Sequence, residues 1–247
     1  MQRADPVLVF DLDGTVLRLN SFPVWVLFTG LGGIRSLSLK QQFKLTRRVF
    51  SLLVARKLGR MNHEALLRHM QALWHFATGS DEGAATQRLA SLLVRNVRRN
   101  MPPAIKLVTD GAMDGVISTA AAEEYAQEVG QRLGFTNVLA TPGGRGPNEP
   151  SNTGEHKRDR LRDWLEQHGW TGRPLIFFND HMADLPLMRD STIVCWFGSS
   201  RELAQAKAAA PHVRFVACRG LKEREMRATI AHLYQSVTVA QLRSYAA

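Results

Sequence analysis

Cysteine is nearly absent from this chain of 247 residues. Its two cysteines, Cys195 and Cys218, are too few for a disulfide framework. Neither lies in a CxxC or CxxxH pattern, so a structural zinc site is not indicated. No apolar run approaches the roughly 18 residues of a membrane-spanning helix. The opening Met1-Gln2-Arg3-Ala4-Asp5-Pro6 lacks the apolar stretch of a secretory signal, and a reduced, cytoplasmic location is the expectation. Negative charge is also scarce: Lys and Arg number 32 against 22 acids, a net +10. Between Asp13 and Glu64 there is no acid, while Arg18, Arg35, Lys40, Lys44, Arg47, Arg48, Arg56, Lys57 and Arg60 fall in that stretch. Such a segment implies an anionic partner: nucleic acid, an acidic membrane face or a phosphorylated substrate. A merely solvated basic face is the alternative. With 45% hydrophobic and 22% charged residues, disordered and collagen-like chains are excluded. The length fits one large domain, or one domain carrying an insert.

Val7-Leu8-Val9-Phe10 is an apolar run of strand length ending at Asp11-Leu12-Asp13-Gly14-Thr15. From about residue 22 to 99 the period becomes helical. Leu39, Phe43, Phe50, Leu53 and Val54 recur at three-to-four spacing, as do Leu66, Leu67, Met70, Leu73 and Trp74, then Leu89, Leu92, Leu93 and Val97. This helical module is read as ending at Met101-Pro102-Pro103. Strands then return at Gly115–Ile117, Asn137–Thr141, Leu175–Phe178, Thr192–Trp196 and Val213–Ala217, alternating with helices. One helix has Glu123 and Glu124 in its first turn. Another carries Leu161, Trp164 and Leu165 and stops at Gly169. The expected fold is α/β, a doubly wound parallel sheet with an inserted all-α domain.

Three of these strands end in polar residues: Asp11 and Asp13, Ser118 and Thr119, Asn179 and Asp180. In a parallel sheet such ends share one edge, where ligands bind. Each alone reads first as an Asx-turn or a helix cap. Carboxylates brought together there need neutralising, and the oxygens of Asp11, Asp180 and Asp184 suit Mg²⁺. Lys157 shares a helix face with Leu161, Trp164 and Leu165, so it points inward. It is either a charge-balancing group or a lysine snorkelling at the core margin.

The sequence Asp11-Leu12-Asp13-Gly14-Thr15 after an apolar strand resembles the DxDGT signature of the haloacid dehalogenase-like hydrolases. Thr119 to Tyr125 is similar to that family's Ser/Thr motif, and Gly154-Glu155-His156-Lys157 to its lysine motif. Asn179-Asp180-His181-Met182-Ala183-Asp184 resembles GDxxxD, with Asn179 where glycine is usual. The four motifs occur in order across most of the chain. The resemblance implies a Rossmann-type core made of residues 1–16 and 104–247, with residues 17–103 as a helical cap that selects the substrate, in the phosphoserine phosphatase-like branch. It implies Asp11 as nucleophile, Asp13 as acid and base, and Mg²⁺ on Asp11, the Asp13 carbonyl and Asp180. Thr119, or else Ser118, and Lys157 would hold the phosphoryl oxygens, with Asp184 supporting Lys157 or metal-bound water.

The cap opening, Asn20-Ser21-Phe22 followed by apolar and basic helices, is similar in composition and placement to bacterial phosphatidylglycerophosphate phosphatases of the C type. A lipid or other anionic phosphate is therefore one expected substrate, with peripheral attachment to the anionic inner face of a membrane. A small soluble phosphomonoester is the rival, as is phosphotransfer to another acceptor. The apolar cap residues, Phe22, Trp25, Phe28, Phe43 and Phe50 among them, would on that rival view pack inside the cap. No helix-turn-helix, RNP or zinc-finger pattern is present, so specific nucleic-acid binding is not expected.

Overall fold

The computed structural model describes residues 5–146 and 149–245, with side chains described as far as Val237. Met1 to Ala4 of the opening segment, and Pro147 and Asn148 of the polar loop before Asn152, lie outside the described residues. The run Val7–Phe10 forms strand β1, wholly buried. Four helices follow: α1 (Ser21–Gly30), α2 (Leu39–Lys57), α3 (His63–Thr78) and α4 (Glu82–Val94). Then come α5 (Pro102–Thr109), β2 (Gly115–Ala122), α6 (Glu123–Arg132), β3 (Val138–Thr141), α7 (Gly154–Gln167) and β4 (Leu175–Asn179). The chain continues through α8 (Leu185–Asp190), β5 (Ile193–Trp196), α9 (Ser200–Ala209), β6 (Arg214–Ala217) and α10 (Glu223–Tyr245).

The strands make one sheet in the order β3-β2-β1-β4-β5-β6, parallel throughout. Because helices cover both faces, the strands read as continuous apolar runs and not as alternating ones. Leu8, Phe10, Ile117, Ile176 and Phe178 belong to one apolar cluster; Val7, Val9, Val116, Phe177 and Val194 join Leu161 and Trp164 in the other. From β1 the chain winds outward to β3, then crosses back to β4 and winds the other way. The reversal lies between β1 and β4, and the crevice beyond their carboxyl ends is where such sheets hold ligands.

Some boundaries differ from the sequence reading. Strand β2 runs on through Ser118 and Thr119 to Ala122, with a shift in its pairing to β3 between Ser118 and Ala122. Pro102 and Pro103 open a further helix, α5, where proline is tolerated because first-turn amides have no helical acceptor. The larger difference concerns α2. The face it buries is Leu45, Val49 and Leu52. The apolar series read from the spacing points outward instead: Leu39 is 91% exposed, Phe43 68% and Phe50 65%. At α1 the outcome is the opposite. Trp25 is fully buried, its ring 5.3 Å from Tyr125 of α6 and 6.0 Å from Trp74 of α3.

Candidate active site

Asp11 leaves the end of β1, its amide donating to the Phe178 carbonyl of β4 at 2.9 Å. This places it at the reversal point, beside Asp180 at the end of β4. The loop after Asp11 turns sharply at Gly14, where φ is +73°. A Cβ there would collide with the Asp180 carboxylate, so glycine is needed both for the turn and for the close approach. Thr15 Oγ1 donates to Asp180 Oδ1 at 3.4 Å. Arg98, on the segment returning from the helices, donates to the carbonyls of Gly14 and Thr15, which fixes the loop from behind.

Lys157 enters from the first turn of α7 and is fully buried. Its Nζ donates to Asp11 Oδ1 at 2.7 Å and to Asp184 Oδ2 at 2.6 Å, and lies 5.7 Å from the centre of the Phe177 ring. Burial works against its charge, but Asp11 and Asp184 outweigh it and hold its pKa above the usual lysine range. The charges do not balance: one ammonium serves two carboxylates, with Asp180 nearby. Burial, reinforced by Asp184 and Asp180 against the pull of Lys157, raises the Asp11 carboxyl to about 8. Asp180 is raised as well, chiefly by burial.

Asp13 has different company. Its Oδ1 accepts the Ser21 amide at 3.0 Å and its Oδ2 the Ser21 hydroxyl at 2.9 Å. Ser21 Oγ is in turn 2.8 Å from the Tyr125 hydroxyl. Burial raises the Asp13 carboxyl to about 6 against these hydrogen bonds, a value suited to giving and taking a proton near neutrality. Sequence reasoning missed Ser21 and Tyr125 in this role, and likewise Arg98. No motif links residues on three separate elements.

A cavity of about 420 Å³ opens over these groups, lined by Asp11, Asp13, Thr119, Lys157, Asp180 and Asp184 among others. Of the two candidate hydroxyls, Thr119 lines it and Ser118 does not; the Ser118 hydroxyl accepts from the buried Asn152 amide at 3.3 Å. Asn179, in the usual glycine position, lies fully buried, its amide donating to the His181 carbonyl at 2.8 Å. The far wall comes from the helical segment and its approach: Arg18, Asn20, Phe22, His63 and Leu67. Among the described residues no three His, Cys, Asp or Glu side chains are grouped so as to hold an ion by themselves. The Asp11 and Asp180 carboxylates with the Asp13 carbonyl are nevertheless hard oxygen donors in one loop cluster. Both carboxyls are raised chiefly by burial, with Asp184 adding to it, and a divalent cation would offset that cost, so this donor set fits Mg²⁺ completed by water.

The fold recurs in solved structures. A protein of unknown function from Bordetella pertussis Tohama I is 19% identical at a TM-score of 0.67, over 86% of this chain and 98% of that one. A probable phosphoserine phosphatase from Vibrio cholerae is 11% identical at 0.60, over 98% of this chain and 69% of its own. A phosphoserine phosphatase in a phospho-aspartyl intermediate analogue form is 12% identical at 0.53, over 90% and 97%. No curated protein matches the sequence. The family model of haloacid dehalogenase-like hydrolases matches residues 8–189, the stretch that holds every charged group of the cavity. On that match, with the sheet order and the strand-end carboxylates agreeing, the chain belongs to the haloacid dehalogenase-like hydrolases.

Proposed function

We propose that the protein is a Mg²⁺-dependent phosphomonoesterase working through an aspartyl-phosphate on Asp11. The observation that carries this reading is the meeting of Asp11, Asp13, Thr119, Lys157 and Asp180 around one cavity at the sheet's reversal point. An Asp11 oxygen attacks phosphorus while the ester P–O bond breaks, and Asp13 gives its proton to the departing alkoxide. Asp13 then takes a proton from water, which attacks phosphorus and releases Asp11 and inorganic phosphate. Lys157 and Thr119 hold the phosphoryl oxygens, and Asp184 fixes Lys157. Mg²⁺, held by the Asp11 and Asp180 carboxylates and the Asp13 carbonyl, would screen the repulsion between Asp11 and an incoming phosphate dianion. The test is an aryl phosphate assay with Mg²⁺, together with trapping of the acyl phosphate. Asp11→Asn should lose both activity and label; an Asp11→Asn variant as fast as wild type would falsify the covalent route.

Residues 17–103 act, on this reading, as the substrate-selecting cap. Among the described cavity residues the acids are Asp11, Asp13, Asp180 and Asp184, and the helical side adds none. No cap carboxylate is therefore there to pair the ammonium of an amino-acid phosphate, the substrate class named for two structural relatives. The outward stripe of α2 favours an amphiphilic or anionic setting. Leu39, Phe43 and Phe50 lie along it with Lys40, Lys44 and Arg47 beside them, an arrangement suited to the surface of an anionic bilayer. Co-sedimentation with anionic and neutral vesicles at low and high salt tests this. Equal binding to both, with faster turnover of a small soluble ester than of any lipid phosphate, would defeat it.

A further inference from the structure

The two segments that join the helices to the sheet run side by side in opposite directions. The Arg18 amide donates to the Asn96 carbonyl at 2.9 Å, and the Arg98 amide to the Val16 carbonyl at 2.8 Å. Leu17 and Val97 form the bridge between them. At this crossing lies a second cleft, of about 330 Å³, lined by Arg18, Arg98, Arg99, Asn100, Arg219 and Leu221. It holds four arginines and no acid. They come from three places: Arg18 from the outgoing segment, Arg98 and Arg99 from the returning one, and Arg219 from beyond β6.

No carboxylate within the cleft neutralises them. Arg162 and Arg173 face Asp190 and Asp114 at 2.7 Å. Among the described residues, Arg18, Arg99 and Arg219 make no such ion pair. Arg98 is committed to the loop carbonyls of Gly14 and Thr15, and its guanidinium sits over the Phe197 ring at 5.3 Å from the centroid. Burial lowers its pKa; Asp180 opposes this, while Arg219 and Arg18 add to it. Guanidinium forks gathered in this way match the oxygens of a phosphate or phosphodiester, which several forks can share. Arg18 lines this cleft and the catalytic cavity alike, so the two spaces adjoin.

The geometry points to a second anion subsite at Arg18, Arg99 and Arg219, which selects phosphate monoesters carrying a second phosphate or phosphodiester group. The inference rests on the phosphomonoesterase reading and narrows its substrate class. The phosphoryl group to be cleaved sits at Asp11, and the second anion reaches past Arg18 into the cleft. Arg98 contributes its positive field there while its hydrogen bonds stay with the loop.

The test compares α,ω-alkanediol bisphosphates with alkyl monophosphates of the same chain length, in Mg²⁺ and at constant ionic strength. Wild type should prefer the bisphosphate of suitable length by roughly tenfold or more in kcat/KM, since charge-assisted hydrogen bonds are at stake. In the Arg99→Gln/Arg219→Gln double variant that ratio should fall towards one, through KM for the bisphosphate. Both residues are exposed, so the variant should fold. A wild-type ratio within threefold of one at every length, or a ratio unaltered in the double variant, overturns the inference. If neither ester is turned over, the phosphatase reading fails on its own. Calorimetric binding of the bisphosphate to the full chain then decides the subsite: affinity at least tenfold lower in the double variant upholds it, and equal affinity rejects it. A short-chain diacyl lipid bearing both groups, run beside its deacylated counterpart, distinguishes a lipid from a soluble source. Whichever is preferred, the loss in the double variant must appear with both.

Discussion

A buried ammonium held between two carboxylates is stable only as a set, and Lys157 shows why. Removing one partner of a buried ion pair costs about 3–5 kcal/mol, because a charge is left behind without its counterpart. Lys157→Met should therefore lower the melting temperature by roughly 6–20 °C, at about 2–4 °C per kcal/mol, and abolish measurable turnover. Adding Asp184→Asn should restore part of the lost stability but none of the activity. Calorimetry of the two single variants and the double reads this coupling, and strict additivity would count against it. Ser21 acts on Asp13 more locally, since its amide and hydroxyl occupy both carboxylate oxygens. Ser21→Ala keeps the amide bond and loses the other. We expect kcat to fall by part of the roughly 10²–10⁴-fold that acid–base help supplies, with KM within about threefold. Ser21→Thr should recover much of the rate, and Tyr125→Phe, which touches Asp13 only through Ser21, should cost less than Ser21→Ala. Steady-state kinetics of the three settles the order. Asp11, Asp13, Lys157, Asp180 and Asp184 were legible in the sequence because each lies at a strand end or a helix start. The Ser21–Tyr125 contact was not, because 104 residues separate them.

At the scale of the element, α2 shows what periodicity tells and what it leaves open. Its spacing correctly indicates a helix. It has apolar residues on two faces, however, and spacing cannot say which one the protein covers. The structure buries the short set, Leu45, Val49 and Leu52. Leu45→Ala should cost about 2–5 kcal/mol. Phe43→Ser and Phe50→Ser should each stay within about 0.5 kcal/mol, as exposed substitutions do. Urea unfolding of the three variants is the measurement; an expensive Phe50→Ser would mean that the outward stripe is covered in solution. The strands were easier to read, since an all-parallel sheet covered on both faces demands unbroken apolar runs. Strand β2 ended later than expected because Ser118 and Thr119 are polar side chains inside a buried strand, each with a specific contact.

For the molecule as a whole, the helices are tied to the sheet by a few polar contacts remote from the cavity floor. Glu64, in the first turn of α3, accepts the Ser151 amide at 3.1 Å, the Ser151 hydroxyl, and Arg145 Nη1 at 3.2 Å. His75 and Gln71 of α3 both reach Glu124 of α6, at 3.1 and 3.0 Å. Burial tends to raise the Glu64 carboxyl, but the Ser151 and Arg145 hydrogen bonds win and hold it below its ordinary value of 4.5. A folded-state pKa lower than the unfolded one gives stability that is fully present above the unfolded value. It is lost as the pH falls through the folded one. At pH 7 Glu64→Gln should thus melt below wild type, and the gap should narrow as the pH falls below about 4.5. Melting curves across that range check it; a gap constant with pH would assign the loss to shape and not to charge.

The position of β1 has a consequence for how the chain comes to be folded. Leu8 pairs with Gly115 on one side and Ile176 on the other, so the first strand made is the central one, and both its neighbours arrive more than a hundred residues later. At synthesis rates of about 5–20 residues per second, Val7–Phe10 waits on the order of five to twenty seconds for its first partner. During that interval α1 to α4 emerge, and helices form from local contacts in microseconds. Closing so long a loop adds entropic cost only logarithmically with its length, and helices shorten the span to be closed. The helical segment is therefore complete in sequence before the sheet can exist, and β1 gains its two partners only when β2 and then β4 have been made.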